Sequence, residues 1–192
     1  MRIIAGAARS RQIVTPDSPS TRPTGDRVRE ALFSIILQRV PGAKVLDLFT
    51  GSGALALEAL SRGAANAVLA DHAEDAIRAV NRNIRNLGYE NAVQVLRMDW
   101  RRTLKRLESE NRQFDLIFLD PPYAMKDMSD VGAELAARNL LAPGGMIVAE
   151  HDHHTPPLLE TYFRLTDRRR YGRIGLSLYQ EGEGGQANDA IG

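Results

Sequence analysis

The chain has no cysteine, so a disulfide framework, a thiolate metal site and a cysteine nucleophile are all excluded. No apolar run approaches the ~20 residues of a membrane span, and the opening shows none of the usual signal-peptide pattern. No period of 20–50 residues repeats and no low-complexity tract interrupts the chain, which excludes solenoid arrays. A surplus of either charge is missing too: 25 basic against 24 acidic side chains leave a net charge of +1. What remains is 192 residues, 43% hydrophobic and 26% charged, the make-up of one soluble globular domain rather than a collagen or a coiled coil. A cytoplasmic, cofactor-using protein is expected.

Lysine is scarce. Nearly all the positive charge is arginine, which forks onto phosphates better than lysine does. Within the first thirty residues stand Arg2, Arg9, Arg11, Arg22, Arg27 and Arg29, against Asp17, Asp26 and Glu30. Further clusters are Arg97/Arg101/Arg102/Lys105/Arg106 and Arg168/Arg169/Arg170/Arg173. Each cluster reads either as solvated surface laced with ion pairs or as a contact for a polyanion.

From residue 45 onward, short apolar runs alternate with helix-like stretches. Strands are predicted over 45–49, 68–71, 93–97, 115–119 and 146–150, with helices over 55–62, 74–87, 101–110 and 129–139. Runs such as VLDLF and LIFLD are apolar on both faces, as strands covered on both sides must be. The alternation predicts an α/β protein with a doubly wound, mostly parallel sheet. Two extended runs, 163–169 and 174–179, flank Tyr171-Gly172 and predict an antiparallel hairpin at the sheet edge. Residues 2–14 read as an extended basic arm, leading into a Pro/Ser/Thr-rich loop, and 26–39 as a helix stopped by Pro41-Gly42. The expected organisation is therefore an arm and loop over 1–24, a catalytic domain over 25–180 and a disordered tail over 181–192.

Ligands of open α/β sheets bind at the carboxyl ends of the strands, and two of those ends are unusual here. The first carries Asp47-Leu48-Phe49-Thr50-Gly51-Ser52-Gly53, whose glycines let the backbone approach a ligand closely. With Ala56 and with Asp71 about 20 residues beyond, it also satisfies a relaxed dinucleotide fingerprint. Asp47 favours a different ligand, because a carboxylate repels a pyrophosphate but attracts the ammonium and sulfonium of S-adenosylmethionine. Asp71 suits ribose hydroxyls under either reading, or else caps the following helix. The other end is Asp120-Pro121-Pro122-Tyr123. Its prolines remove two N–H donors, so the Asp120 carboxylate and the Pro121 carbonyl present only acceptors. Two acceptors side by side suit an exocyclic amine, and Tyr123 offers a flat face for a flipped-out base.

Together, DLFTGSG and DPPY resemble the class I S-adenosylmethionine-dependent methyltransferases that act on exocyclic amines. MRIIAG, TRPTGDRVREALFSI, VLDLFTGSGALALEALSRGA and FDLIFLDPPY narrow the resemblance, over residues 1 to about 180, to the RsmD family. Those proteins methylate guanine N2 in bacterial small-subunit (16S) ribosomal RNA. The resemblance implies a Rossmann-like sheet of seven strands with helices on both faces. It further implies that Asp47, Thr50, Gly51 and Gly53 hold the methionine part of the cofactor and that Asp71 takes the ribose. Asp99 would meet the adenine amine with Met98 against the ring, and Arg22, Pro23 and Thr24 would close over the cofactor with Phe33 nearby. Asp120, Pro121, Pro122 and Tyr123 would grip the guanine amine, with Asp120 also beside the cofactor. Arg9 and Arg11 would reach ribosomal RNA. The family shows glutamate more often at the position of Asp71.

Other residues read more plainly. His151, Asp152, His153 and His154 follow the fifth strand as a surface turn, and no metal is expected despite the His-x-His pair. Glu150 is expected to shape the base pocket. Trp100 is a base platform, a lid on the adenine site or plain core. A monomer without membrane attachment is expected, acting on 16S ribosomal RNA or on the small subunit. Adenine N6, a protein glutamine amide and a non-catalytic RNA-binding module remain as alternatives.

Overall fold

A computed structural model of the chain describes residues 1–16, 25–122, 125 and 128–182. Arg22, Pro23, Thr24, Tyr123 and nearly all of the predicted tail lie outside the described residues. Seven strands form one sheet in the order β3-β2-β1-β4-β5-β7-β6. The strands β1 (Lys44–Asp47), β2 (Asn66–Asp71), β3 (Val93–Arg97), β4 (Phe114–Leu119) and β5 (Leu141–Asp152) pair in parallel. β7 (Ile174–Gln180) inserts antiparallel between β5 and the outer strand β6 (Arg164–Tyr171). The expected class I architecture, mostly parallel with a carboxyl-terminal hairpin, is the one observed.

Alternation along the strands builds a core on each face. In β1 and β4, Val45, Leu116 and Phe118 face one way, toward α1 (Asp26–Ile35), α2 (Ala54–Ser61) and α3 (Glu74–Leu87). Leu46, Ile117 and Leu119 face the other way, toward α4 (Trp100–Ser109) and α5 (Ser129–Ala137). All six are buried, which is why these runs lack polar alternation. Among the described residues no helix is long and apolar enough to cross a membrane. The predicted helix over 26–39 ends at Ile35, and one 3₁₀ turn, Leu37–Arg39, leads to Pro41.

The amino-terminal arm is not extended. Residues 1–13 double back, with Ile3 N–H donating to Arg11 O at 3.0 Å and Ile13 N–H to Met1 O at 3.0 Å. Ile3, Ala8 and Ile13 then enter the core, so burial of the arm's own apolar residues overrides the extended form. Gly6 makes this possible: at φ +84° it lies so close to α2 that a Cβ would stand 1.7 Å from Ser61 O. The buried Glu58 carboxylate receives the Ile4 and Ala5 N–H groups at 2.7 and 3.0 Å and the Arg62 guanidinium at 2.7 Å. Arg29, itself fully buried, approaches Glu58 at 3.8 Å and Asp26 at 3.0 Å and also donates to Arg2 O.

Candidate active site

The sheet order reverses between β1 and β4, where a crevice opens beyond the strand ends. Asp47 closes β1 there and is 1% exposed. Neither of its carboxylate oxygens has a hydrogen-bond partner among the described residues, and nor does the buried hydroxyl of Thr50. Burial pushes the Asp47 carboxyl up to about 7; the nearby Thr50 hydroxyl and Ala56 amide oppose this without forming a well-aligned hydrogen bond, and the Asp71 charge adds to it. An unpaired buried carboxylate is costly. A cationic ligand arriving at this point removes that cost.

The loop after Asp47 turns through Gly51 at φ +53° and Gly53 at φ +81°, and Gly53 caps α2. A Cβ at Gly51 would have nothing within 4 Å, so the loop leaves open space where a ligand would lie against backbone. α2 begins directly after Gly53, and a helix N-terminus suits a ligand carboxylate. An amino acid headgroup, cationic amine beside carboxylate, fits this cradle. The residues present therefore fit S-adenosylmethionine.

Asp71, at the end of β2, receives N–H groups from Gly51 at 3.0 Å and Ala73 at 2.9 Å. It braces the glycine loop and starts α3; the lone pairs left on each oxygen remain able to accept ribose hydroxyls. Met98 follows β3, its N–H bonded to Asp71 O at 3.1 Å. Asp99 caps α4 by accepting from Arg102 N–H at 3.1 Å, with its side chain about half exposed. Trp100 opens α4, and the Arg101 guanidinium stacks 4.2 Å from its ring. Phe33 is core, its ring 6.0 Å from Phe118.

On the far side of the crevice, Asp120, Pro121 and Pro122 follow β4 and line a cavity shared with Glu150 and His151 of β5. Glu150 is buried. The sheet thus sets Asp47, the glycines and Asp71 on one side of the switch point, and Asp120–Pro122 with Glu150 on the other. Arg9 and Arg11 stand exposed on the folded-back arm, well inside its hairpin, and Arg11 donates to Asn86 O of α3. Asp152, His153 and His154 bring ligand-type atoms within 4.8 Å of one another, with Arg173 3.6 Å from the same Asp152 carboxylate.

One functional residue escaped the sequence reading and another was misplaced by it. Asn83 receives Val14 N–H at 2.8 Å and donates to Val14 O at 2.8 Å and Ser52 O at 2.9 Å. It ties the arm to the glycine loop. A signal was present, since an asparagine sits among Ala76, Ala79, Val80, Ile84 and Leu87 on the buried stripe of α3. His151, expected in a surface turn, lies within β5. Its Nδ1 is 2.8 Å from Asp152 O and its Nε2 is 2.9 Å from Ser177 Oγ. A carbonyl only accepts, so Nδ1 carries the proton, and burial holds the ring's titration below its ordinary value.

A family model described as Conserved hypothetical protein 95 matches residues 1–180. The Bacillus subtilis protein YlbH is 37% identical over 94% of this chain and 99% of its own. Ribosomal RNA small subunit methyltransferase D of Escherichia coli K12 is 32% identical over 98% of this chain and 93% of its own. Among solved structures, the Escherichia coli protein yhhF superposes with a TM-score of 0.81 at 30% identity, over 94% of this chain and 97% of that one.

Proposed function

The chain belongs to the RsmD family, and from that premise we propose that it methylates ribosomal RNA, taking the methyl group from S-adenosylmethionine. The acceptor we assign is the exocyclic N2 amine of a guanine in small-subunit RNA, within a partly or fully assembled subunit. The observation that carries this reading is the pairing across the switch point of an orphaned, buried carboxylate, Asp47, with the acceptor-only wall Asp120–Pro122.

The bound cofactor supplies an electrophilic methyl on a sulfonium. Asp47 neutralises the cationic headgroup, the glycine loop admits it against backbone, and Asp71 accepts from the ribose. Across the crevice, the Asp120 carboxylate and the Pro121 carbonyl accept the two amine hydrogens. That draws the nitrogen lone pair out of conjugation and aims it at the methyl carbon. The methylated nitrogen would be cationic and acidic, and Asp120 would take its surplus proton. No strong base is needed at the outset; positioning and acceptors facing the growing charge supply the catalysis.

The assembled particle would contribute shape while arginines supply phosphate contacts. The test is transfer of labelled methyl to unmodified small subunits, naked ribosomal RNA and duplex DNA, with nucleoside mass spectrometry. N2-methylguanosine from subunits or their RNA is expected. Methyladenine would overturn the acceptor, and no label despite cofactor binding would favour a non-catalytic binding module.

A further inference from the structure

β7 runs antiparallel to β5, which carries the turn between β6 and β7 to the carboxyl end of β5. His151 stands opposite Gly175 and Asp152 opposite Ile174, which in turn faces Tyr171 of β6. The other end of β6 is remote: Arg164 faces Gln180, which faces Met146 near the start of the parallel pairing of β5. At ~3.4 Å per residue, Arg164 and Arg170 are about 20 Å apart along one strand. The arginine run is therefore graded by distance from the cavity that Asp120, Glu150, His151 and Asp152 share.

The arginines also differ in their partners. Arg168 is held by Glu160 at 2.6 Å and Ser177 Oγ at 3.0 Å, and Arg169 by Asp167 at 2.9 Å. Arg170 has no carboxylate partner among the described residues and donates its Nε to Gly172 O at 3.0 Å. Arg173 reaches Asp152 only at 3.6 Å and is 80% exposed, a geometry worth little in water. The turn backbone is nevertheless fixed, because His153 N–H donates to Arg173 O at 3.0 Å. Two available guanidinium forks thus stand on a rigid turn at the rim of the cavity. Arginines placed only to blunt an edge strand have no reason to favour that end.

We propose that Arg170 and Arg173 grip RNA phosphates flanking the methylated nucleotide, holding the backbone while its base enters the cavity. Base extrusion needs such a grip, since unstacking one nucleotide requires its neighbours to be held, and arginine forks match phosphate oxygens. This inference rests on the function proposed above.

The experiment compares R170Q/R173Q, R170K/R173K and R164Q with the unaltered protein in methyl transfer to unmodified small subunits and to their naked RNA, across a salt series. R170Q/R173Q should raise KM for RNA tenfold or more. It should also flatten the plot of log affinity against log salt by up to ~0.7–0.9 per lost phosphate contact. Cofactor affinity should be unchanged. R164Q should match the unaltered protein, and R170K/R173K should recover most of the salt dependence. An unchanged KM and slope in R170Q/R173Q, or an equal loss in R164Q, overturns the grip. A loss on subunits with none on naked RNA also overturns it, in favour of a ribosomal protein contact. If the unaltered protein methylates no RNA, the functional reading falls and this one with it.

Discussion

Replacing Asp47 by asparagine should stabilise the ligand-free protein and at the same time strip it of its methyl donor. The carboxyl titrates at about 7 in the folded chain instead of at 3.8. At ~1.36 kcal/mol per pH unit, keeping it ionised opposes folding by about 4 kcal/mol above pH 7. Folded protein retains a proton that the unfolded chain releases between pH 3.8 and 7, so stability falls as pH rises through that window. Asparagine carries no charge at any pH, but its carboxamide inherits the lack of partners, an offset of roughly 1–3 kcal/mol. At pH 8.5, D47N should therefore gain about 1–3 kcal/mol, or about 2–12 °C in Tm for a chain of this size. The gain should shrink as pH falls toward 5. Titration calorimetry with S-adenosylmethionine should show affinity down a hundredfold or more, since a cation would then enter a site with no countercharge. A D47N protein that is less stable at pH 8.5, by a margin that does not vary with pH, would refute this reasoning. So would undiminished binding.

Other outcomes follow from the same geometry. In the unaltered protein, binding of S-adenosylmethionine requires ionised Asp47, so its Kd should rise about tenfold per unit as pH drops below 7, measurable by calorimetry at pH 5.5 to 8. D120A should abolish turnover and leave cofactor affinity nearly intact, since Asp120 faces the acceptor; near-normal rates would sink the amine grip. N83A removes three hydrogen bonds between arm, α3 and glycine loop, and should lose about 2–4 kcal/mol in denaturant titrations. E58A removes one of the two carboxylates beside the buried Arg29 guanidinium and leaves two backbone N–H groups unsatisfied. It should lose about 3–5 kcal/mol and open residues 1–13 to limited proteolysis.

Much of this was legible in the chain. VLDLF and LIFLD announce strands buried on both faces, and their ends deliver Asp47 and Asp120 to the crevice without further information. The glycines of the first loop and the prolines of the fourth act locally, through backbone freedom and missing donors, so their backbone consequences could be read where they stand. The arm could not be read that way. What holds residues 4 and 5 is a carboxylate more than fifty positions away on α2, and local propensity says nothing about so distant an acceptor. Asn83 was hidden for a similar reason, its partners lying 69 and 31 positions away. For His151, position misled: it follows Glu150 at what looked like the end of a strand, whereas pairing with β7 extends β5 to Asp152.

That pairing bears on when the protein becomes competent during its own synthesis. β7 sits between β5 and β6, so β6 has no place in the sheet until residues 174–180 have left the ribosome. Ser177, which fixes His151, and Gly175, which faces it, belong to that same late segment. The acceptor wall is thus completed by the last strand of the chain to be made. Stalled or shortened products ending before residue 174 would therefore lack the strand that faces His151 and the Ser177 hydroxyl that holds its ring.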